Sequence, residues 1–400
     1  MKLNLPPDMI TATKLTKEGK LSEATALLMR MYKGQAEPPA TSPSSAKKAS
    51  PKAAINKSKA TDAEVLDEPS MLRAFFSKFQ PNGVTVAAGS GENVALKAKP
   101  SRATPSGSKF VSAVHSGDAG SRTYKLFVPS AYSGQKLPLV VMLHGCTQSP
   151  DDFAAGTGMN VLAEEQTCFV VYPAQSQSAN AGKCWNWFLT ADQQRGKGEP
   201  ALIAGIVGDI MSNYAIDPQR VYVAGLSAGG AAAAVLGETY PDIFAAVGVH
   251  SGLACGAASD LGSAMSVMRS GTAGAPSARR TSALKPAQSH IPTIVFHGDK
   301  DQTVHPKNGD QVINQLLGEG YEQQLRAVSD RGESRGKSFS RTCYFDRSNQ
   351  SVLELWVVHG AGHAWFGGSS QGTYADPRGP DASREMLRFF LSHAKVARPS

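Results

Sequence analysis

Val221-Tyr222-Val223-Ala224-Gly225-Leu226-Ser227-Ala228-Gly229-Gly230 runs on into four alanines, Ala231–Ala234. A β-branched apolar segment enters Gly-x-Ser-x-Gly and leaves as a strong helix former, the order that a strand–turn–helix nucleophile elbow requires. In such a turn the serine takes a strained backbone conformation, and flanking glycines remove the Cβ atoms that would block the bend. The helix that follows aims its N-terminal amides at the point where negative charge would develop. The pattern occurs twice, since Gly368-Ser369-Ser370-Gln371-Gly372 also satisfies it. That copy follows no apolar strand and opens no helix, so Ser227 is the candidate nucleophile.

The 400 residues, 41% of them hydrophobic, are enough to bury a large α/β core. The net charge of +8 would point to nucleic acid if it lay on that core. It does not: residues 1–100 hold fifteen Lys/Arg against nine Asp/Glu, leaving only +2 for the other three hundred. A nucleic-acid enzyme is therefore not the reading. Lys2, Pro6, Pro7 and Asp8 stand where a signal peptide would need an apolar stretch, and no apolar run is long enough to span a membrane. The expected location is accordingly cytoplasmic. The five cysteines, Cys146, Cys168, Cys184, Cys255 and Cys343, match neither a disulfide-dense scaffold nor a paired zinc motif, so reduced, mostly buried thiols are the default; nothing in the sequence calls for a cofactor, and none is expected.

Three segments emerge along the chain. Residues 1–33 read as an amphipathic helical hairpin, Met9–Lys17 and Ser22–Met31, resembling half of a tetratricopeptide unit. A solenoid needs several stacked copies and there is one, so a hairpin lying on the main domain or on a partner is expected instead. Residues 34–105 are rich in Ala, Pro, Ser and Lys and read as a disordered linker, with a short helix at Met71–Phe76. Residues 1–100 are a candidate tether to a granule surface or a partner. From 106 to 396 strands alternate with helices, which predicts a mostly parallel sheet covered on both faces. The expected strands are Phe110–Val114, Arg122–Val128, Leu137–Leu143, Thr167–Tyr172, the elbow strand, Phe244–His250, Pro292–His297 and Val352–Val358. The expected helices are Asp151–Gln166, Pro200–Tyr214, Ala228–Glu238, Pro306–Leu317 and Asp381–His393. Residues 256–289, rich in Ala, Ser and Gly, read as a cap or loop insertion.

An acyl-transfer serine needs a base, an acid to orient it, and donors for the oxyanion. In an α/β-hydrolase these follow the nucleophile as acid and then histidine, each on a loop after a strand. After Phe296 comes His297-Gly298-Asp299-Lys300-Asp301-Gln302-Thr303-Val304. Asp301 is far enough past the strand to reach an imidazole, whereas Asp299 is placed to cap the turn. After Val358 comes His359-Gly360-Ala361-Gly362-His363-Ala364-Trp365, where His363 is the candidate base and His359 a structural residue. The oxyanion donors expected are the amides of Ala228 and of Cys146, the latter on the loop Leu143-His144-Gly145-Cys146-Thr147-Gln148.

These motifs, with Lys183-Cys184-Trp185-Asn186-Trp187-Phe188 and Gly248-Val249-His250-Ser251-Gly252, resemble the esterase/poly(3-hydroxybutyrate) depolymerase family over roughly residues 108–395. The resemblance implies an α/β-hydrolase fold, a metal-free triad of Ser227, Asp301 and His363 with Cys146 at the oxyanion position, and hydrolysis of hydroxyalkanoate polyesters or related esters. Feruloyl- and acetyl-esterase-like members make those esters the alternative substrates. A non-catalytic binding protein on the same fold is the rival from another class, disfavoured because no triad position is missing. Trp185, Trp187 and Trp365 are candidates to line an apolar acyl cleft, or else are simply core. Cys146 and Cys184 both sit in motifs around the site, either as free thiols or as a disulfide bracing the oxyanion loop.

Overall fold

The computed structural model describes residues 107–271 and 291–395. The hairpin of residues 1–33, the linker of 34–105 and the helix at Met71–Phe76 lie outside the described residues, as does most of the 256–289 insertion. Among the described residues, no helix is long and apolar enough to cross a membrane.

The fold is an α/β-hydrolase built on a ten-stranded sheet. In chain order the strands are β1 (Lys109–Gly117), β2 (Gly120–Val128), β3 (Leu137–Leu143), β4 (Phe169–Pro173), β5 (Ile216–Leu226), β6 (Ala246–His250), β7 (Thr293–Gly298), β8 (Arg326–Ser334), β9 (Lys337–Phe345) and β10 (Ser351–Val358). They lie side by side as β1-β2-β4-β3-β5-β6-β7-β10-β9-β8. The pairs from β4 through β10 are parallel, and antiparallel hairpins finish both edges. The order reverses between β3 and β5, so their carboxyl ends open a crevice where ligands bind in open α/β sheets.

Strand alternation sorts side chains to two faces. Val221 and Val223 of β5 join one core cluster, and Tyr222 and Ala224 join the other. The first cluster is covered by α3 (Gly198–Asn213), α4 (Ala228–Thr239) and α6 (Lys307–Tyr321), through Ile203, Ile206, Leu236 and Ile313. The second is covered by α1 (Pro150–Thr157), α2 (Met159–Gln166) and α7 (Ala382–Leu391), through Phe153, Leu162, Met386 and Phe390. Every position of β3 and β4 is buried, which explains their unbroken apolar sequences.

The single helix expected over Asp151–Gln166 is two. Gly158 adopts φ 63°, closing α1 with a left-handed cap and restarting the chain as α2. The expected insertion contains a regular element, α5 (Leu261–Ser270), begun by a capping box on Asp260 and ended by Gly271 at φ 61°. The β8–β9 hairpin had no strand signal, because β8 is charged and exposed almost throughout. Two short strands, β11 (Trp365–Phe366) and β12 (Ala375–Asp376), pair beyond β10.

Candidate active site

β5 delivers Ser227 into a turn at φ 58°, ψ −119°, and α4 begins at the next residue. A side chain there is costly, and it persists because the surroundings leave the chain no other course. A Cβ on Gly225 would overlap the Gly229 backbone, and one on Gly229 would overlap the Leu143 carbonyl. The Ser227 N–H donates to the His250 carbonyl at 2.8 Å, and the serine is 3% exposed.

The loop after β3 passes beside it: a Cβ on Gly145 would stand 3.7 Å from the Ser227 Cβ. Gln148, buried, fixes this loop. Its Oε1 accepts the Gly145 N–H at 2.9 Å, while its Nε2 donates to Asp152 at 2.8 Å and to the Thr373 carbonyl at 3.0 Å. Thr147 N–H donates to Gly182 O at 2.7 Å, and Cys146 is joined to Cys184 by a disulfide. Ala228 opens α4, so its N–H has no carbonyl four residues back to bond. Among the described residues, the Ala228 and Cys146 amides take no protein acceptor.

Behind the loop lies a buried polar cluster. His144 Nδ1–H donates to Gly145 O at 2.7 Å, and its Nε2 accepts the Gln175 N–H at 3.1 Å. Burial pulls this imidazole down to about 4, so it is neutral at neutral pH. Gln175 in turn accepts from Arg122 at 2.6 Å and donates to Glu199. Glu199 also takes the N–H and the side-chain amide of Asn186, at 2.7 and 2.8 Å. Burial, with Asp192 nearby, raises its carboxyl to about 7 against those donors. His144 and Asn186 lie inside motifs quoted from the sequence, but none of these residues had been given a role there. Positions 122, 144, 175, 186 and 199 show no local spacing, and only the fold brings them together.

Asp301 follows β7 and His363 follows β10, and the two meet at 2.7 Å through Oδ2 and Nδ1–H. The other carboxylate oxygen accepts the N–H groups of Thr303 and Val304 at 2.8 and 2.9 Å. Burial alone would raise this carboxyl. The facing His363 and His297, with their hydrogen bonds, outweigh it and hold Asp301 well below the usual carboxylate range. His297 donates from Nε2 to Val304 O at 2.9 Å and stands 3.5 Å from Asp301. Asp299 holds His359 instead, at 3.0 Å, together with the Gly360 N–H at 2.8 Å. Main-chain bonds from Asp299 to Val358 and from Lys300 to Ala361 stitch the two loops together.

The three candidate tryptophans are buried in the core rather than exposed along an open cleft. Trp185 is fully buried and donates its indole N–H to His144 O at 3.0 Å. Trp365 is 1% exposed, donates to Ser383 Oγ at 3.0 Å and stacks on His250. Trp187, 4% exposed, packs edge-on against Phe188. Among the described residues, no group of three or more His, Cys, Asp or Glu is arranged to hold a metal ion.

Residues 122–337 match the family model described as esterase PHB depolymerase. The chain is 34% identical over 244 residues to a poly(3-hydroxyalkanoate) depolymerase C of Paucimonas lemoignei, covering 60% of this chain and 56% of that one. It is 26% identical over 251 residues to a probable acetylxylan esterase A of Aspergillus clavatus, covering 57% and 78%. With a feruloyl esterase B of Thermothelomyces thermophilus it shares 28% identity over 209 residues, covering 49% and 70%. The chain thus spans just over half the length of the depolymerase it matches. Among solved structures, an acetyl xylan esterase from Aspergillus awamori superposes with a TM-score of 0.55 at 21% identity, over 71% of this chain and 99% of that one.

Proposed function

We propose, from the premise that the chain belongs to the PHB depolymerase esterase family, that it is a serine carboxylesterase acting on polyhydroxyalkanoate polyester or its oligomers through an acyl-enzyme. The observation that carries the mechanism is the 2.7 Å Asp301–His363 pair, set on loops at the carboxyl ends of the parallel strands, where the strained Ser227 turn also emerges. His363 takes the Ser227 proton as the hydroxyl attacks the ester carbonyl, and Asp301 fixes the ring and stabilises the imidazolium. The amides of Cys146 and Ala228 stabilise the tetrahedral oxyanion, each by about 3 kcal/mol. Collapse of that intermediate breaks the ester C–O bond, and the alcohol leaves with the proton from His363. Water, deprotonated by the same histidine, then releases the acid and restores Ser227. The tryptophans act in this reading from behind, Trp185 by anchoring the oxyanion loop.

The polyester reading is supported by the family model and the 34% identical depolymerase. A second reading, acetyl or feruloyl esters of polysaccharide, is favoured by the larger share of those relatives that the chain covers. Parallel turnover of polyester granules, acetylated xylan and a feruloyl ester by the purified protein decides between them. Ser227→Ala is expected to abolish hydrolysis of a short-chain nitrophenyl ester while leaving the fold intact by circular dichroism. Retained turnover in that variant would refute the nucleophile assignment, and an inactive wild-type chain would favour a binding protein on this fold.

A further inference from the structure

His250 ends β6, the strand between the one that carries Ser227 and the one that leads to Asp301. It performs no step above, yet it reaches all three segments that do. Its carbonyl accepts the Ser227 N–H at 2.8 Å. Its Nε2 accepts the N–H of Phe366, three residues past His363, at 3.2 Å. The adjoining Ser251 N–H donates to the Phe296 carbonyl at 2.8 Å, on the strand before Asp301. The fully buried ring stacks on Phe296, at 5.8 Å between centroids and 9° between planes, and on Trp365, at 4.8 Å and 22°.

An imidazole accepts at Nε2 only with a lone pair there, which places the ring proton on Nδ1, facing Ser251 Oγ at 3.2 Å. Burial, with His297 and His363 near, disfavours a second proton; Asp301 opposes them and is outweighed. One residue therefore holds the turn of the nucleophile by its main chain and the loop of the base by its side chain. We propose that His250 is a positioning residue that sets Ser227 and His363 in register through the lone pair on its Nε2. The inference rests on the catalytic reading above. Misplacement of a reacting group by about 1 Å costs on the order of a hundredfold in rate, so loss of this tie is read in kcat.

His250→Phe keeps an aromatic ring and removes the acceptor, while His250→Gln restores an amide oxygen near the Nε2 position. On a nitrophenyl ester His250→Phe is expected to lower kcat by about tenfold or more with KM within about twofold, and His250→Gln to recover most of the loss. A wild-type kcat in the Phe variant, or equal losses in both variants, overturns the proposal. If His250→Phe does not fold, nitrogen NMR of the histidine-labelled wild-type protein decides. An unprotonated Nε2 with no titration between about pH 5 and 8 is expected, and a protonated Nε2 or a titrating signal overturns it. Turnover in Ser227→Ala would remove the nucleophile reading, whereas the His250 nitrogen signature stands or falls independently.

Discussion

Asp299 and Asp301 stand two residues apart on one turn, and each holds a histidine of the facing loop. Burial separates them: Asp301 is 5% exposed as a residue and takes two further amides, whereas the Asp299 side chain is one-third exposed. The Asp299–His359–Ser340 chain, with Ser340 Oγ 2.8 Å from His359 Nε2, copies the order of a triad. Ser340 lies within β9, without the left-handed turn and helix start that expose a nucleophile. Asp301→Asn is expected to lower kcat by about 10³ to 10⁴, because the imidazole loses both its orientation and its counter-charge. Asp299→Asn is expected to cost less than about tenfold. Comparable losses in the two variants, measured as kcat on one ester, would contradict this division.

Among the elements, the Cys146–Cys184 link joins the oxyanion loop to the 180–188 segment across a separation of 38 residues. In the chain-entropy view a loop of that size is worth about 4 kcal/mol. Replacing both cysteines by serine is expected to lower the unfolding free energy by about 2–4 kcal/mol and to reduce kcat more than it changes KM. Unchanged urea midpoints and kcat would show that the hydrogen bonds of Gln148 and Thr147 suffice to hold the loop. The central elements were legible in the sequence because burial writes itself as unbroken apolar runs, as in β3 and β4. The split at Gly158 was not, since the apolar spacing continues across it while the break depends on one left-handed residue. Nor was β8, whose strand form comes from pairing with β9 and not from its own side chains. Ser227, Asp301 and His363 were nominated by order along the chain, a signal that survives without coordinates. Gln148 and His250 stand inside motifs visible in the sequence, but their bracing roles show only in the fold, through partners more than a hundred residues away.

For the whole molecule, two buried groups behind the oxyanion loop set opposing acid–base demands. His144 stays neutral down to about 4, so below about 6.5 the unfolded chain binds the extra proton and stability falls as pH falls. Glu199 keeps its proton up to about 7, so above about 4.5 the unfolded chain loses one first and stability falls as pH rises. Between about pH 4.5 and 6.5 the two effects cancel to roughly no net proton. Glu199→Gln is expected to remove one side of that balance. Its unfolding free energy, followed by urea titration, then rises with pH more steeply than wild type by about one proton, or roughly 1.4 kcal/mol per pH unit. Parallel pH curves for the two proteins would contradict the assignment.

The left-handed backbone of Ser227 sets a ceiling on how durable the working molecule can be. Glycine adopts φ 58°, ψ −119° without the steric penalty that serine bears there. Ser227→Gly is therefore expected to melt higher than wild type, by an amount corresponding to about 1 kcal/mol, and an unchanged or lower melting temperature would argue against strain at the turn. Selection for persistence alone, whether by drift after loss of substrate or by screening for heat tolerance, would find a gain at the nucleophile. A heat-selected population of this chain should accordingly be checked for turnover before its survivors are counted as improved enzymes.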